Sequence, residues 1–99
     1  SATVVLKNNG WVIGHISIQI EDRKANIFNL FIDPNFRGNG LAIKMVNEIE
    51  YYGKSVGAKK YNLNITPKNK AAKKLFEKLS YINRDSKNAR LIKMIKRVN

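Results

Sequence analysis

Between Ile32 and Leu41 the spacing of apolar residues changes from every second position to every third or fourth. The change falls across Arg37-Gly38-Asn39-Gly40. Before it, Asn26 to Ile32 reads as a strand, with apolar residues on both faces as in a central strand. Asp33-Pro34-Asn35 closes that strand, because proline cannot donate to a ladder. After it, Leu41, Met45, Ile49 and Tyr52, with Ala42 and Val46, form one stripe of a helix. Lys44, Asn47, Glu48 and Glu50 fall on its outer face. A strand, a turn and a helix of this length lead to a crossover, so the strand that follows should run parallel to the one before. The turn also has chemistry. A helix start leaves free N–H groups and roughly half a positive charge. Glycines let the backbone come close to a phosphate, and Arg37 adds a fork of donors. The segment is suited to cradle a diphosphate; the competing reading is an ordinary tight turn. It is neither the dinucleotide fingerprint, lacking the third glycine, nor the nucleotide-triphosphate loop, lacking Gly-Lys-Ser/Thr.

The other elements follow from the same periodicities. Ala2 to Leu6 is a β-branched run, and Asn9-Gly10 is a hairpin turn signal. Trp11 to Ile20 alternates, with Ile16, Ile18 and Ile20 on one side and His15, Ser17 and Gln19 on the other. Gly53 or Gly57 ends the long helix. Tyr61, Leu63 and Ile65 mark a fourth strand. Thr66-Pro67 reads as a cap and first position of a short helix with Ala71, Ala72, Leu75, Phe76 and Leu79 inward. Tyr81 to Asn83 and Arg90 to Val98 read as closing strands. The order β-β-β-α-β-α-β-β gives an α+β fold, a mixed sheet with two helices, in one domain spanning 1–99.

Composition sets limits on partners. The 99 residues carry nineteen Lys or Arg against seven Asp or Glu, a formal charge of +12. Residues 57–99 hold thirteen of the bases against Glu77 and Asp85, a net of +11. Such a half attracts polyanions, nucleic acid among them, through Lys59 to Arg97; the plainer reading is a solvated lysine-rich surface. Aromatics do not interleave with these lysines along the chain, as they do on many single-strand binding surfaces. The absence of cysteine excludes disulfides, thiolate metal sites and a cysteine nucleophile, and no metal is expected. No apolar run is long enough for a membrane span, and no leader is visible; a cytoplasmic protein is the expectation.

Three segments together resemble one family, the GCN5-related N-acetyltransferases (GNAT). Arg37, Gly40 and Ala42 fit its acetyl-CoA signature, Arg/Gln-x-x-Gly-x-Gly/Ala, within Asp33-Pro34-x-x-Arg37-Gly38-x-Gly40-Leu41-Ala42. Asn69-x-x-Ala72-x-x-Leu75-Phe76-Glu77-Lys78-Leu79-Ser80-Tyr81 resembles a second block, and Ile13-Gly14-His15-Ile16-Ser17-Ile18 resembles the strand before the signature strand. The resemblance covers about residues 11–85. It implies an acyl-CoA N-acyltransferase fold in a shortened form, without the usual N-terminal strand and two helices.

It also implies acetyl-CoA as cosubstrate and an amine of a protein or small molecule as acceptor, attacked directly at the thioester. The amides of Gly38, Asn39, Gly40, Leu41 and Ala42, with Arg37, would hold the diphosphate. The backbone of Leu30, Phe31 and Ile32 would meet the pantetheine arm, and Asn69 and Phe76 belong to the same cofactor set. An N–H near Ile32 would polarise the acetyl carbonyl. Lys44, Lys68 or Lys73 would meet the 3′-phosphate. Two departures stand out. Phe76 replaces a tyrosine that serves many members as general acid. Phe28, with Asn29 beside it, lies where many carry a glutamate base.

Two residues are candidates to move protons. His15 is the single histidine, a residue type whose unperturbed pKa near 6.5 suits a base; its alternative is a packed or surface imidazole. Tyr81 could replace the missing tyrosine, or could be a core aromatic. Asn69 could equally cap its helix. The competing functions are a CoA-binding module without turnover and a nucleic-acid-binding module of the same fold. A small sheet with open edges also makes a homodimer an expectation.

Overall fold

Asn9 and Gly10, at φ 50° and 83°, form a two-residue left-handed turn. It joins β1 (Ala2–Asn8) to β2 (Trp11–Glu21), as the Asn-Gly signal predicts. The next hairpin, to β3 (Lys24–Ile32), turns through Asp22 and Arg23, also at positive φ (51° and 64°) but without glycine. The Arg23 carbonyl accepts from the N–H groups of Lys59 (2.8 Å) and Lys60 (3.4 Å). The turn is thus tied to the start of β4 (Lys60–Ile65).

The computed structural model describes residues 1–84 and 90–98. After β3 come a 3-10 turn (Pro34–Phe36), α1 (Leu41–Ser55), β4, α2 (Lys70–Lys78), β5 (Ile82–Arg84) and β6 (Ile92–Arg97). The sheet order is β1-β2-β3-β4-β6-β5. β3 and β4 are parallel and the remaining pairs antiparallel. The expected order and mixed sheet are therefore present. Asp85, counted in the basic half, and part of Lys59–Arg97 lie outside the described residues.

Both helices lie on one face of this sheet. Ile16, Ile18, Ile27, Leu63 and Met94 point into that layer and are buried against Met45, Val46, Ile49 and Phe76. The opposite face carries Val5, His15, Phe28, Phe31 and Ile82. β3 is central as expected, but only one of its apolar faces is covered: Phe28 and Phe31 are 37% and 41% exposed. Two pairs of local alternatives are also resolved. Gly57, at φ 95°, follows the end of α1, whereas Gly53 lies inside it. An added Cβ at Gly53 would come within 2.7 Å of the Tyr61 hydroxyl, so this glycine makes room for a ring. α2 begins at Lys70 and is capped by Asn69, not by Thr66.

The helical layer is fastened through Glu50. Its carbonyl accepts from Tyr61 Oη at 2.8 Å. Its carboxylate accepts from Tyr81 Oη at 2.6 Å and from Lys96 Nζ at 2.9 Å. One side chain of α1 thereby joins β6 and the segment that follows α2. Burial, and then Glu50, push both phenols above the ordinary 10.0. The folded state holds these protons more tightly than the unfolded chain. Their contribution is complete below about pH 10 and declines as pH rises beyond it. Urea midpoints should be level from pH 8 to 9.5 and fall above 10. Tyr81→Phe should lower stability by about 2 kcal/mol at pH 7 and shallow the alkaline decline.

Candidate cofactor site

The β3–β4 ladder ends early. It pairs Lys24 with Lys60, Ala25 with Tyr61 and Asn26 with Asn62, and no further. Beyond this the strands part. β3 departs from regular geometry at the same level: Asn29 has φ 55°, and the register against β2 shifts between His15 and Ser17. This is a β-bulge, which re-aims the strand. Asp33 N–H donates to the Ile13 carbonyl at 2.7 Å, so odd-numbered groups at this end of β3 face β2. By alternation the N–H groups of Leu30 and Ile32 face the gap left by β4.

The turn into α1 lies beside this gap. Gly38 and Gly40 take φ 84° and 73°, conformations costly for residues with a Cβ. Nothing lies within 4 Å of where a Cβ would stand at either, so the backbone is open to a ligand. Gly40 is the N-cap of α1 and supplies no side-chain cap, and the first turn holds no acidic residue. The leading N–H groups of a fifteen-residue helix are thus left to an outside acceptor. Arg37 Nε donates to the Ile32 carbonyl at 2.9 Å, which fastens the turn to the end of β3. Asn39 Nδ2 donates to the Phe36 carbonyl at 3.4 Å.

A cleft of about 430 Å³ opens here between α1 and α2. Leu30, Ile32, Arg37, Gly38, Gly40, Leu41, Ala42 and Asn69 all line it, so the structure brings most of the expected cofactor residues to one place. Asn69 Oδ1 accepts from Ala72 N–H at 3.1 Å, so its oxygen caps α2 while the residue borders the cleft. Phe76 is not in the lining: it is 1% exposed and packs edge-on against Tyr81, ring centroids 5.1 Å apart. The Phe31 side chain lies on the other face of the sheet, against His15. Lys44, Lys68 and Lys73 are likewise not among the lining residues, whereas Lys78 is. Phe36, Ile43 and Lys78 are lining residues that sequence reasoning missed. Extending the Ala71, Leu75 spacing by three residues would have reached Lys78.

The proton-transfer candidates separate. Tyr81 is buried, and its hydroxyl is engaged by Glu50. His15 is half-buried on the open face, with Nδ1 2.7 Å from the Asn29 carbonyl at the bulge. A carbonyl only accepts, so Nδ1 donates here, and in the neutral ring Nε2 is then the nitrogen with a lone pair. No group of three or more candidate metal ligands occurs among the described residues, and none of their helices is long and apolar enough to cross a membrane.

With this geometry in view, the comparisons are consistent. The profile of the acetyltransferase (GNAT) family matches residues 1–81, and the chain belongs to that family. It is 29% identical over 101 residues to an uncharacterized N-acetyltransferase of Methanocaldococcus jannaschii, covering 95% of this chain and 44% of that protein. It is 25% identical over 83 residues to an acetyltransferase of Yersinia pestis, covering 84% and 59%. The chain thus spans about half the length of these curated relatives. Among solved structures, it resembles the PaiA N-acetyltransferase of Thermoplasma acidophilum in complex with coenzyme A. That likeness has a TM-score of 0.91 at 19% identity over 97% of this chain and 60% of the other. The ribosomal-protein-S18-alanine N-acetyltransferase of Escherichia coli gives 0.79 at 21%, over 95% and 65%.

The capping bond yields a direct expectation. Asn69→Ala should destabilise the protein by about 1 kcal/mol, and Asn69→Asp should restore most of that. Thermal unfolding of the three proteins measures both.

Proposed function

We propose that the protein transfers the acetyl group of acetyl-CoA directly to an acceptor amine. The observation that carries this reading is the uncapped start of α1, with Gly38 and Gly40 open to a ligand, beside strands that part just where an extended arm could enter. The family and the CoA-bound neighbour of the same fold support it.

The residues present fit such a cofactor. Its diphosphate sits on the amides from Gly38 to Ala42, with the Arg37 guanidinium alongside. The pantetheine arm pairs with the backbone of Leu30 to Ile32 in the gap, as an added strand does. Lys78 is the cation at the cleft for the remaining phosphate. The thioester supplies the activated acyl carbon. The N–H of Leu30 or Ile32 stabilises charge on the carbonyl oxygen as the amine attacks. The amine must lose a proton, and His15 Nε2 is the base on the face opposite the helices. A thiolate leaves without much help, so Phe76 in place of a tyrosine does not bar the reaction.

Calorimetry with acetyl-CoA tests the cradle. Micromolar binding should weaken at least tenfold in Arg37→Ala and vanish in Gly40→Asp, which puts a carboxylate and a strained φ at the diphosphate. Thiol release across a panel of amines then tests transfer. His15→Ala should lower kcat at pH 7 at least tenfold while leaving cofactor affinity within twofold. Tight cofactor binding with no turnover for any amine would support the CoA-binding module instead.

A further inference from the structure

The sheet face opposite the helices holds a cluster of cations that the cleft does not use. Paired residues on neighbouring strands share a face, so the register places Lys24, Lys60 and Arg97 in one row across β3, β4 and β6. A second row on the same face holds Asn64, Lys93 and Arg84 across β4, β6 and β5. The rows are four residues apart, about 13 Å, and the cluster spans three strand spacings, about 14 Å. None of these five cations has a carboxylate partner among the described residues; the single ion pair found there is Lys96–Glu50, on the other face. Glu21, opposite Lys24, and Asp22 in the adjoining turn are the carboxylates nearest this cluster in the pairing scheme.

Like charges placed opposite one another across strands oppose folding. The effect registers at Lys60, whose ammonium is held below its ordinary 10.5 by loss of hydration and then by Arg97, Lys93, Lys24 and Arg84. Between and beside the rows the same face offers Asn26 and Asn62. Two and five residues beyond Asn26 on β3, it offers the partly exposed rings of Phe28 and Phe31. The lysines and aromatics do not interleave along the chain, but the sheet places them on one surface.

We propose that this open face binds a single-stranded nucleic acid, its phosphates on the cation rows and its bases stacked on Phe28 and Phe31. Cations alone would suit any polyanion. The flat aromatic faces next to them favour a strand with unpaired bases over an acidic peptide. The cation rows are separate from the cleft, which opens between the helices; Phe31 lies beside His15 on the side from which the amine would attack, and the proposal does not depend on acetyl transfer.

Fluorescence anisotropy with a labelled mixed-sequence 12-nucleotide RNA, and the DNA of the same sequence, tests it. Both should bind at 50 mM salt and weaken about a hundredfold by 200 mM, as expected for about five phosphate contacts to a single strand. The triple variant Lys60→Ala, Lys93→Ala, Arg97→Ala should flatten the logarithmic salt slope by about 2. It should unfold no earlier than the parent, since it relieves repulsion. Phe28→Ala should weaken binding about tenfold. The control triple Lys7→Ala, Lys54→Ala, Lys74→Ala, which removes equal charge elsewhere, should change affinity less than threefold. A tenfold excess of CoA should not displace the RNA, and Arg37→Ala should still bind it. Equal losses in the two triples, no effect of Phe28→Ala, or displacement by CoA would each overturn the proposal. Equal affinity for a polyglutamate of the same length, or stronger binding to the duplex, would overturn it too.

Discussion

The site depends on the β3–β4 ladder ending after Asn26 and Asn62. Parallel strands at the centre of a sheet normally stay paired along their shared length. Here the bulge at Asn29 turns β3 aside, and the N–H groups of Leu30 and Ile32 are left facing a gap. The same parting gives α1 somewhere to start: Arg37 closes back on the Ile32 carbonyl, and the helix opens with Gly40 and its first amides uncapped. A longer ladder would satisfy the strand backbone and remove the edge on which an extended arm could lie.

A gap in the centre of a six-stranded sheet costs stability, and the polar contacts around Glu50 offset part of it. Tyr61, Tyr81 and Lys96 come from β4, from the turn after α2 and from β6, and all meet this one residue of α1. Each buried phenol has its partner, and no buried side-chain polar atom among the described residues lacks one. Tyr81 therefore reads as a residue that holds the two halves of the sheet to the helix. Its hydroxyl is committed to Glu50, and the buried proton it carries is not presented to the cleft. Gly53 belongs to the same arrangement, because the Tyr61 ring reaches Glu50 only across a helix surface without a Cβ at that point.

Much of this was legible in the sequence. Alternation and helical spacing put the six strands and two α-helices in order, and the Arg37–Ala42 segment located the glycine-rich start of α1, because a helix start with glycines has consequences that are purely local. Of the two cap candidates the sequence offered, Asn69 caps α2 and Thr66 does not, because the chain makes a turn at Thr66 first, with Asn69 N–H donating to the Thr66 carbonyl at 2.9 Å. Two other things were not legible, each for a physical reason. That Phe28 and Phe31 lie on the uncovered side of β3 was not legible, since an apolar residue in a central strand carries no mark of which face is covered. Lys78 continues the Ala71, Leu75 spacing of α2, but that this side of α2 borders a cleft depends on α1 lying near it in space, which the spacing does not report.

The two faces of the sheet also divide the charge. On the proposed reading the helical face needs few cations, since amide dipoles at the start of α1 would do much of the work beside the Arg37 guanidinium. The bases on β4, β5 and β6 contribute nothing to that cradle, and in the unliganded fold their mutual repulsion is a cost. Strand residues facing solvent can be neutral and polar at no loss to the fold, as Asn26, Asn62 and Asn64 on this face illustrate. Five cations without a salt-bridge partner among the described residues, gathered on one face with rings next to them, therefore call for a reason outside the fold. An anionic strand laid across that face would remove the repulsion and cover the two exposed phenylalanines at once. That double effect distinguishes it from a mere surplus of surface lysine, which would have no need of the rings.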